Sequence, residues 1–276
     1  MSRIELGAIG AVVTSGQRDV LVDTAVELEA MGYANIWVTG GPLADLGQIA
    51  EVVEATERVR IASGIISVDR FPAGDVAALY AELEASHPGR FVVGLGGAHG
   101  VDPLATLGQY LDRLDSQPPA VPQAVRVMAA LGPRMLDLAR ERASGAFPVF
   151  VTPEYTARAR VQLGSDTTLA VEQLVALEAD PGRARELARG RLGFLASLPA
   201  YQASFRRMGF AEDEIMPLAD RLVDAVVASG DVETVAARIR EQQHAGADHV
   251  AIGVIAASDA QPVDQWRRLA TRLIGA

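Results

Sequence analysis

The sequence predicts an α/β fold in which eight parallel strands, each followed by helix, close into a single (β/α)8 TIM barrel. Short apolar runs alternate with longer amphipathic stretches along the whole chain. The apolar runs are nearly continuous, as is typical of parallel strands that are buried on both faces. A chain of 276 residues suits one such barrel. A doubly wound open sheet is the alternative that this alternation also permits.

Eight apolar runs are predicted as strands, at 5–13, 35–38, 58–68, 90–96, 126–131, 147–151, 168–178 and 249–255. Amphipathic stretches are predicted as helices at 18–32, 43–56, 75–86, 104–116, 133–145, 153–164 and 263–274. In the first helix, Leu21 and Leu28 share one face and Gly32 supplies the stop. Residues 181–247 form an extended helical segment between the seventh and eighth strands, which we interpret as a lid or dimer element. We therefore predict one domain over 1–276.

Composition narrows the classes of function. A net charge of −10 argues against a nucleic-acid partner. The absence of cysteine excludes disulfides, thiolate nucleophiles and cysteine-ligated zinc. The four histidines show no metal-ligand spacing, so no metal site is predicted. No apolar run reaches the roughly 18 residues of a membrane span, and we expect a cytoplasmic protein with no membrane partner.

The most glycine-rich stretch is "GRFVVGLGGAHG" at 89–100. The dinucleotide-binding fingerprint is G-x-G-x-x-G. Gly94 and Gly96 fit its first two glycines, but His99 occupies the position of the third. A Walker A motif is excluded because the chain has no lysine. The stretch is therefore predicted to be the fourth barrel strand, with its glycines at the carboxyl end, where barrel enzymes have their active sites.

Two interpretations of this strand end remain open. Gly96, Gly97 and Ala98 would let a flat cofactor lie against the backbone, or the glycines are small residues required by barrel packing. His99 is the candidate catalytic residue, because an imidazole exchanges protons near neutral pH.

Further candidates follow other strands. Trp37 and Thr39 end the second strand, and Asp69 and Phe71 follow the third, so these four are predicted to line a substrate pocket. Trp37 also fits a purely structural place in the core. Glu172 lies inside the seventh strand, where a buried carboxylate needs a partner; it is either a member of a buried ion pair or an acid of the site.

Five stretches together resemble one family: "RVRIASGIISV", "HPGRFVVGLGGAH", "ALGPRMLDLARERASGAFP", "VTPEYTARARVQLG" and "LAVEQLVALE". They are similar to the luciferase-like monooxygenase superfamily, and more closely to its actinobacterial branch of deazaflavin (coenzyme F-420)-dependent oxidoreductases. The resemblance follows nearly the whole chain in order. It implies a (β/α)8 barrel, a deazaflavin or FMN cofactor at the carboxyl face, a small-molecule substrate and a homodimer.

The resemblance also implies cofactor-binding residues. In this family the third strand carries a bulge behind the flavin ring, often with a non-prolyl cis peptide, and this place falls on Ser63, Gly64 and Ile65. The cofactor phosphate is expected at a helix start formed by Leu131, Gly132, Pro133, Arg134 and Met135. Free N–H groups and the positive helix end favour an anion there. The loop at 256–262 competes for this role, since barrels commonly bind phosphate after their last strands.

The function that the resemblance implies is hydride transfer between coenzyme F-420 and an unidentified small organic substrate. The alternatives are an FMN-dependent monooxygenase that uses oxygen and a non-catalytic barrel that binds a flavin or deazaflavin. Two departures from the family matter. Only residues 97–125 connect the fourth and fifth strands, and the second strand ends "VTGG" where several relatives have Asp or His. The family's substrate lid and proton donor are therefore not carried over.

Overall fold

The structure, a computed structural model, describes residues 3–256 and 261–275. Within these ranges the strands are β1 (Ile9–Val13), β2 (Asn35–Thr39), β3 (Arg60–Gly64), β4 (Ile66–Ser67), β5 (Phe91–Gly96), β6 (Arg126–Met128), β7 (Gly145–Ala146), β8 (Thr168–Ala176), β9 (Val227–Ser229) and β10 (His249–Val254). The helices are α1 (Arg18–Ala30), α2 (Gly47–Ala55), α3 (Ala73–Ser86), α4 (Pro103–Ser116), α5 (Pro133–Arg142), α6 (Pro153–Leu163), α7 (Pro181–Ala196), α8 (Pro199–Arg207), α9 (Glu212–Ile215), α10 (Asp220–Val226), α11 (Val232–His244) and α12 (Val263–Leu273).

All strand pairs are parallel and the sheet closes on itself. The order is β10, β1, β2, β3, β5, β6, β7, β8, and β8 pairs with β10 to complete the ring. Strand β4 continues β3 and pairs with β5, so the two together fill one of eight positions. This arrangement confirms the predicted (β/α)8 barrel, and the extended helical segment lies between β8 and β10 as expected.

Side chains form three apolar layers. One layer fills the barrel and includes Trp37 and Phe147. A second lies between the strands and the surrounding helices, as the continuous apolar runs require. A third covers the end of β8 and is contributed largely by α7, α8 and α10. This third cluster places the inserted helices over the carboxyl end of the barrel, where a ligand site is expected.

Two predicted strands and one strand that was not predicted show the main differences from the expected pattern. The third is interrupted at Ile65, which divides it into β3 and β4. The sixth was predicted at 147–151, but β7 covers only Gly145–Ala146. Pro148 has no N–H to donate and Phe150 has a left-handed φ of 57°, so after β7 only an isolated bridge joins Val149 to β8.

The third difference is β9, which the sequence placed within the helical segment over 181–247. Val227–Ser229 pairs with Leu174–Ala176 of β8. The short strand β7 pairs only with the start of β8, so this later part of the β8 edge is available to β9. A short strand is stabilised there by a free sheet edge that is formed only in the folded barrel. Its local sequence alone does not distinguish it from the end of α10.

One buried charge ties the start of β6 to α4. The side chain of Arg126 is 1% exposed and donates a hydrogen bond of 2.5 Å to Asp115. Arg142 donates to the same carboxylate and to Asp112. Burial alone would raise the pKa of Asp115, but the hydrogen bonds and charges of the two arginines hold it below its ordinary value.

We expect Asp115→Asn to lower the free energy of unfolding by about 1.5 kcal/mol, because it leaves the buried Arg126 guanidinium without its counter-charge. The control is Asp112→Asn, which removes only an exposed pair and is expected to change stability by less than about 0.5 kcal/mol. Urea denaturation at neutral pH measures both variants. Equal losses would show that Asp115 is not the partner on which Arg126 depends.

Among the described residues, no helix has both the length and the hydropathy required to cross a lipid bilayer.

Candidate functional site at the carboxyl end of the barrel

The segment between β3 and β4 is built on close backbone contacts. The peptide bond between Gly64 and Ile65 is a non-prolyl cis bond, at the place that the sequence resemblance predicted. A Cβ atom on Gly40 would lie 1.6 Å from the Ile65 carbonyl oxygen, and one on Gly94 would lie 1.8 Å from the Ser63 carbonyl oxygen. Only glycine permits approaches of this kind. The backbone of 63–65 therefore lies so close to β5 that position 94 requires glycine.

The other residues of this region divide between packing and exposure. The Ser63 hydroxyl is buried and exchanges hydrogen bonds with the backbone N–H and C=O of Gly94, at 2.8 and 2.9 Å, so it is occupied within the sheet. A Cβ atom on Gly96 would meet the Ile65 side chain at 3.0 Å. Gly97 has a φ of 76° and turns the chain away from β5. Gly64 and Ile65 remain partly exposed, and these two residues offer a surface to a ligand.

His99 and Asp69, predicted separately from the sequence, lie together in the structure. Asp69 accepts a hydrogen bond of 2.9 Å from the His99 backbone N–H and lies 3.1 Å from its Nδ1. Both side chains are exposed, and Ala98 beside them is partly so. A carboxylate at Nδ1 orients an imidazole and favours Nε2 as the atom that exchanges protons with a ligand.

The loop before α5 has the features of an anion site. Gly132 precedes the helix and Pro133 takes its first position. The backbone N–H groups of Gly132 and Arg134 make no hydrogen bond with the described part of the chain. Arg134 is exposed, and Met135 and Leu131 are partly buried against the core. Two free N–H groups at the positive end of a ten-residue helix are donors of the kind that favour an anion.

Two residues that the sequence did not identify complete this loop. Arg207 of α8 donates a hydrogen bond of 3.3 Å to the Leu131 carbonyl and lies 3.6 Å from where a Gly132 Cβ would stand. The Tyr155 hydroxyl donates to the carbonyls of Ala130 and Leu131, which fixes the loop from the barrel side. Arg207 is exposed and adds a second cation beside Arg134.

The residues predicted to line the substrate pocket have different surroundings. Trp37 is fully buried; its ring stacks on Phe147 at 3.9 Å and its Nε1 donates to His249. The structure thus places Trp37 in the core below the barrel mouth. Thr39 is buried and accepts a hydrogen bond from the Ser15 N–H. Phe71 is partly buried and lies under the Arg70 guanidinium. Of the four, Asp69 is the residue whose polar atoms face solvent.

A cavity of about 1540 Å³ opens beside this region. It lies at the carboxyl ends of β1 and β10 and extends along α7, with Thr14, Val254 and Arg191 among the residues that line it. This volume exceeds what a small substrate needs. Of the residues predicted from the sequence to bind cofactor or substrate, Ala256, Gln261 and Pro262 of the competing loop at 256–262 line it, and the others do not. Of the loop at 256–262, which competes for the phosphate, residues 257–260 lie outside the described residues.

Glu172 is a further polar group at this end of the barrel. Its carboxylate makes no salt bridge within 4.0 Å among the described residues, and Arg191 is the cation whose charge acts on it. Burial raises its pKa, and the charge of Arg191 opposes that shift. The described residues also contain no cluster of three or more histidine, aspartate or glutamate side chains arranged to hold a metal ion.

Comparison with known proteins agrees with this geometry. Residues 6–113 match the sequence model of a family described as luciferase-like monooxygenase. Over this part of the chain, the match agrees with the superfamily that the sequence motifs indicated. No curated protein matches the chain.

Three solved structures illustrate the shared fold. The F420-dependent tetrahydromethanopterin reductase of Methanopyrus kandleri has a TM-score of 0.75 and 16% identity, with 99% of each chain covered. An F420-dependent secondary alcohol dehydrogenase, solved with an F420–acetone adduct, gives a TM-score of 0.73 at 15% identity over 98% of each chain. The oxygenating component of 3,6-diketocamphane monooxygenase from Pseudomonas putida, solved with FMN, gives 0.65 at 14% identity over 96% of each chain. At these identities the similarity establishes the fold.

Proposed function

Given a match to the luciferase-like monooxygenases over residues 6–113, we propose that the protein is an oxidoreductase that transfers a hydride between coenzyme F-420 and a small organic substrate. The observation that carries this proposal is the anion cradle before α5. It joins two free N–H groups to two exposed arginines, Arg134 and Arg207, at the carboxyl end of the barrel. Both F-420 and FMN carry a phosphate that fits this donor set.

Different residues of the chain would bind the cofactor phosphate, support the ring and exchange a proton. Gly132, Arg134 and Arg207 would hold the phosphate. Gly64 and Ile65, which are partly exposed beside the Gly40 and Gly94 contacts, would support one face of the ring. When bound, a deazaflavin supplies two electrons and a proton as hydride, and the protein contributes position and electrostatics. His99, oriented by Asp69, is one group able to exchange the accompanying proton.

The alternative is an FMN-dependent monooxygenase. The same phosphate donors support this alternative equally, because they would bind the phosphate of FMN as well as that of F-420. The third possibility, a barrel that binds a cofactor without catalysis, is supported by the short 97–125 connection. The homodimer remains a prediction from the sequence resemblance, and the cytoplasmic location remains a prediction from the hydropathy of the sequence.

Cofactor titration with a charge-removing variant tests the proposal. Wild-type protein is expected to bind F-420 more tightly than FMN, as followed by quenching of cofactor fluorescence. Arg207→Gln is expected to weaken the preferred cofactor about tenfold, since one charge-assisted hydrogen bond to a phosphate is lost.

The matched control for this titration is Arg206→Gln, one position earlier on α8. The Arg206 guanidinium forms a surface pair with Glu212, 3.0 Å away at one of its two contacts, and so does not face the loop. Its removal should leave the affinity unchanged. Tighter binding of FMN would turn the assignment to oxygen chemistry, and binding of neither cofactor would overturn the proposal.

A further inference from the structure

Glu172 lies inside the barrel, one layer nearer its carboxyl end than the central core. Ala170 on the same strand and Ala251, which pairs with Glu172, both belong to the apolar cluster that fills the barrel. Side chains alternate along a strand, so the Glu172 side chain points into the barrel as well. A Cβ atom on Gly253 would lie 2.9 Å from its Oε1. The carboxyl group therefore lies against the bare backbone of β10.

This carboxyl group is buried but has no partner. The residue is 9% exposed, and within the described ranges its oxygens make no hydrogen bond and no salt bridge. An ionised carboxylate in such a place is costly, which is why burial raises its pKa. The charged group that faces it is Arg191 of α7, whose effect opposes burial. A protonated carboxyl group there is a hydrogen-bond donor that nothing in the described structure uses.

A second unpartnered group lies close by. Tyr201 of α8 packs its ring against Phe150 at a centroid distance of 5.3 Å. Val149, the neighbour of Phe150 in the chain, pairs with Glu172, so Tyr201 and Glu172 lie at the same end of the barrel. Burial raises the pKa of Tyr201 to about 12. The Tyr201 hydroxyl makes no hydrogen bond with a described residue. A carboxyl group and a hydroxyl group at this end of the barrel thus have no hydrogen-bond partner among the described residues.

We infer that Glu172 and Tyr201 bind the oxygen of a neutral carbonyl or hydroxyl group on an apolar substrate, with Glu172 exchanging the proton that accompanies its oxidation or reduction. The inference rests on the proposed function, which supplies the reductant. In reduction, the carbonyl carbon gains a hydride from the reduced deazaflavin and the oxygen gains the Glu172 proton. The C=O bond becomes a CH–OH group, and solvent returns a proton to the carboxylate.

The chemical class follows from the charges in this cycle. Once its proton is transferred, Glu172 carries a negative charge in a buried place, and a carboxylate substrate beside it would add a like charge. Phe150 and Leu174 nearby are apolar, and the cation that acts on Glu172, Arg191, is exposed. A ketone or secondary alcohol with a hydrocarbon body satisfies both conditions. Compared with the exposed His99, Glu172 is shielded from water, so its proton transfer is better confined to a bound substrate.

Carbon NMR of protein labelled at the glutamate carboxyl carbons tests this without any cofactor. In a pH titration, one carboxyl signal should keep its proton to a higher pH than the signals of the surface glutamates, because burial raises the pKa of Glu172. It should be missing from Glu172→Gln and present in the control Glu57→Gln, which changes an exposed glutamate. Cyclohexanone should shift this signal, and cyclohexanecarboxylate should not. Tyr201→Phe should weaken cyclohexanone binding about threefold to tenfold, the loss expected for one hydrogen bond.

Turnover of cyclohexanone with reduced F-420 provides the second readout. Glu172→Gln should lower kcat about a hundredfold and change KM little, because the amide keeps a hydrogen-bond donor but cannot give up its proton. The inference is overturned if the Glu172 carboxyl group titrates together with the surface glutamates, or if its NMR signal does not shift when cyclohexanone is added. A greater loss of kcat in His99→Asn than in Glu172→Gln also overturns it. Failure of the wild-type protein to bind either cofactor overturns the proposed function instead, and the NMR result distinguishes the two failures.

Discussion

Replacing Gly40 with alanine is expected to lower the free energy of unfolding by about 3 kcal/mol and to weaken cofactor binding about tenfold or more. The added Cβ would stand 1.6 Å from the Ile65 carbonyl oxygen and 2.6 Å from its carbon, so one backbone must move. The clash is with main-chain atoms, which have no alternative rotamer. Displacement of Ile65 changes the exposed surface that we propose lies behind the cofactor ring.

Gly41→Ala is the matched control, because a Cβ at this neighbouring position meets nothing within 4 Å. Urea denaturation gives the stability of both variants, and fluorescence quenching gives their affinity for F-420 and FMN. Gly41→Ala should match the wild-type protein in both. Loss of stability in Gly40→Ala without loss of cofactor affinity would separate the 63–65 segment from the cofactor site. Equal stability of the two variants would contradict the close contact itself.

The architecture was predictable because the strands of a parallel barrel are buried on both faces and therefore need nearly continuous apolar runs in the sequence. The strands that were missed depend on tertiary context. β9 forms because β8 has a free edge in the folded barrel, and the residues of β9 alone do not show that this edge exists. The predicted sixth strand, 147–151, began after the observed strand Gly145–Ala146 ends, although Pro148 in that range is a residue that cannot donate to a ladder.

The site was predictable where its determinants are local. The helix start at Gly132 and Pro133 is visible in the sequence, as is the glycine-rich end of β5. Arg207 was missed because it reaches the loop only through the fold of the inserted helices, far along the chain from Gly132. A signal for Gly40 was present in "VTGG", but the physical cause of that glycine is the backbone of Ile65.

A buried histidine should make the stability of the protein fall as the pH is lowered. His249 is fully buried; its Nε2 lies 3.0 Å from Trp37 Nε1 and its Nδ1 lies 2.8 Å from the Gly7 carbonyl. The Nδ1 proton is therefore donated to Gly7, and Nε2 accepts from Trp37. Burial lowers the pKa of His249 from 6.5 to about 4, although the hydrogen bond to Gly7 and the charge of Asp248 oppose the shift.

The sign of the effect follows from proton binding. Between the unfolded pKa near 6.5 and the folded pKa near 4, the unfolded chain binds more protons than the folded protein. The contribution of His249 is complete above this window and is lost as pH falls through it, by about 3 kcal/mol in all. Glu172 acts in the opposite direction, since its folded pKa is raised. A comparison between variants is therefore needed to isolate the histidine.

The comparison is His249→Gln against His244→Gln, measured by urea denaturation at about pH 7 and pH 5. The glutamine at 249 keeps an acceptor for Trp37 and does not titrate. Wild type and His244→Gln, which changes an exposed histidine, should each lose about 2 kcal/mol more than His249→Gln over this interval. The same pH dependence in all three proteins would mean that His249 titrates normally. Burial would then not hold the pKa of His249 below its ordinary value.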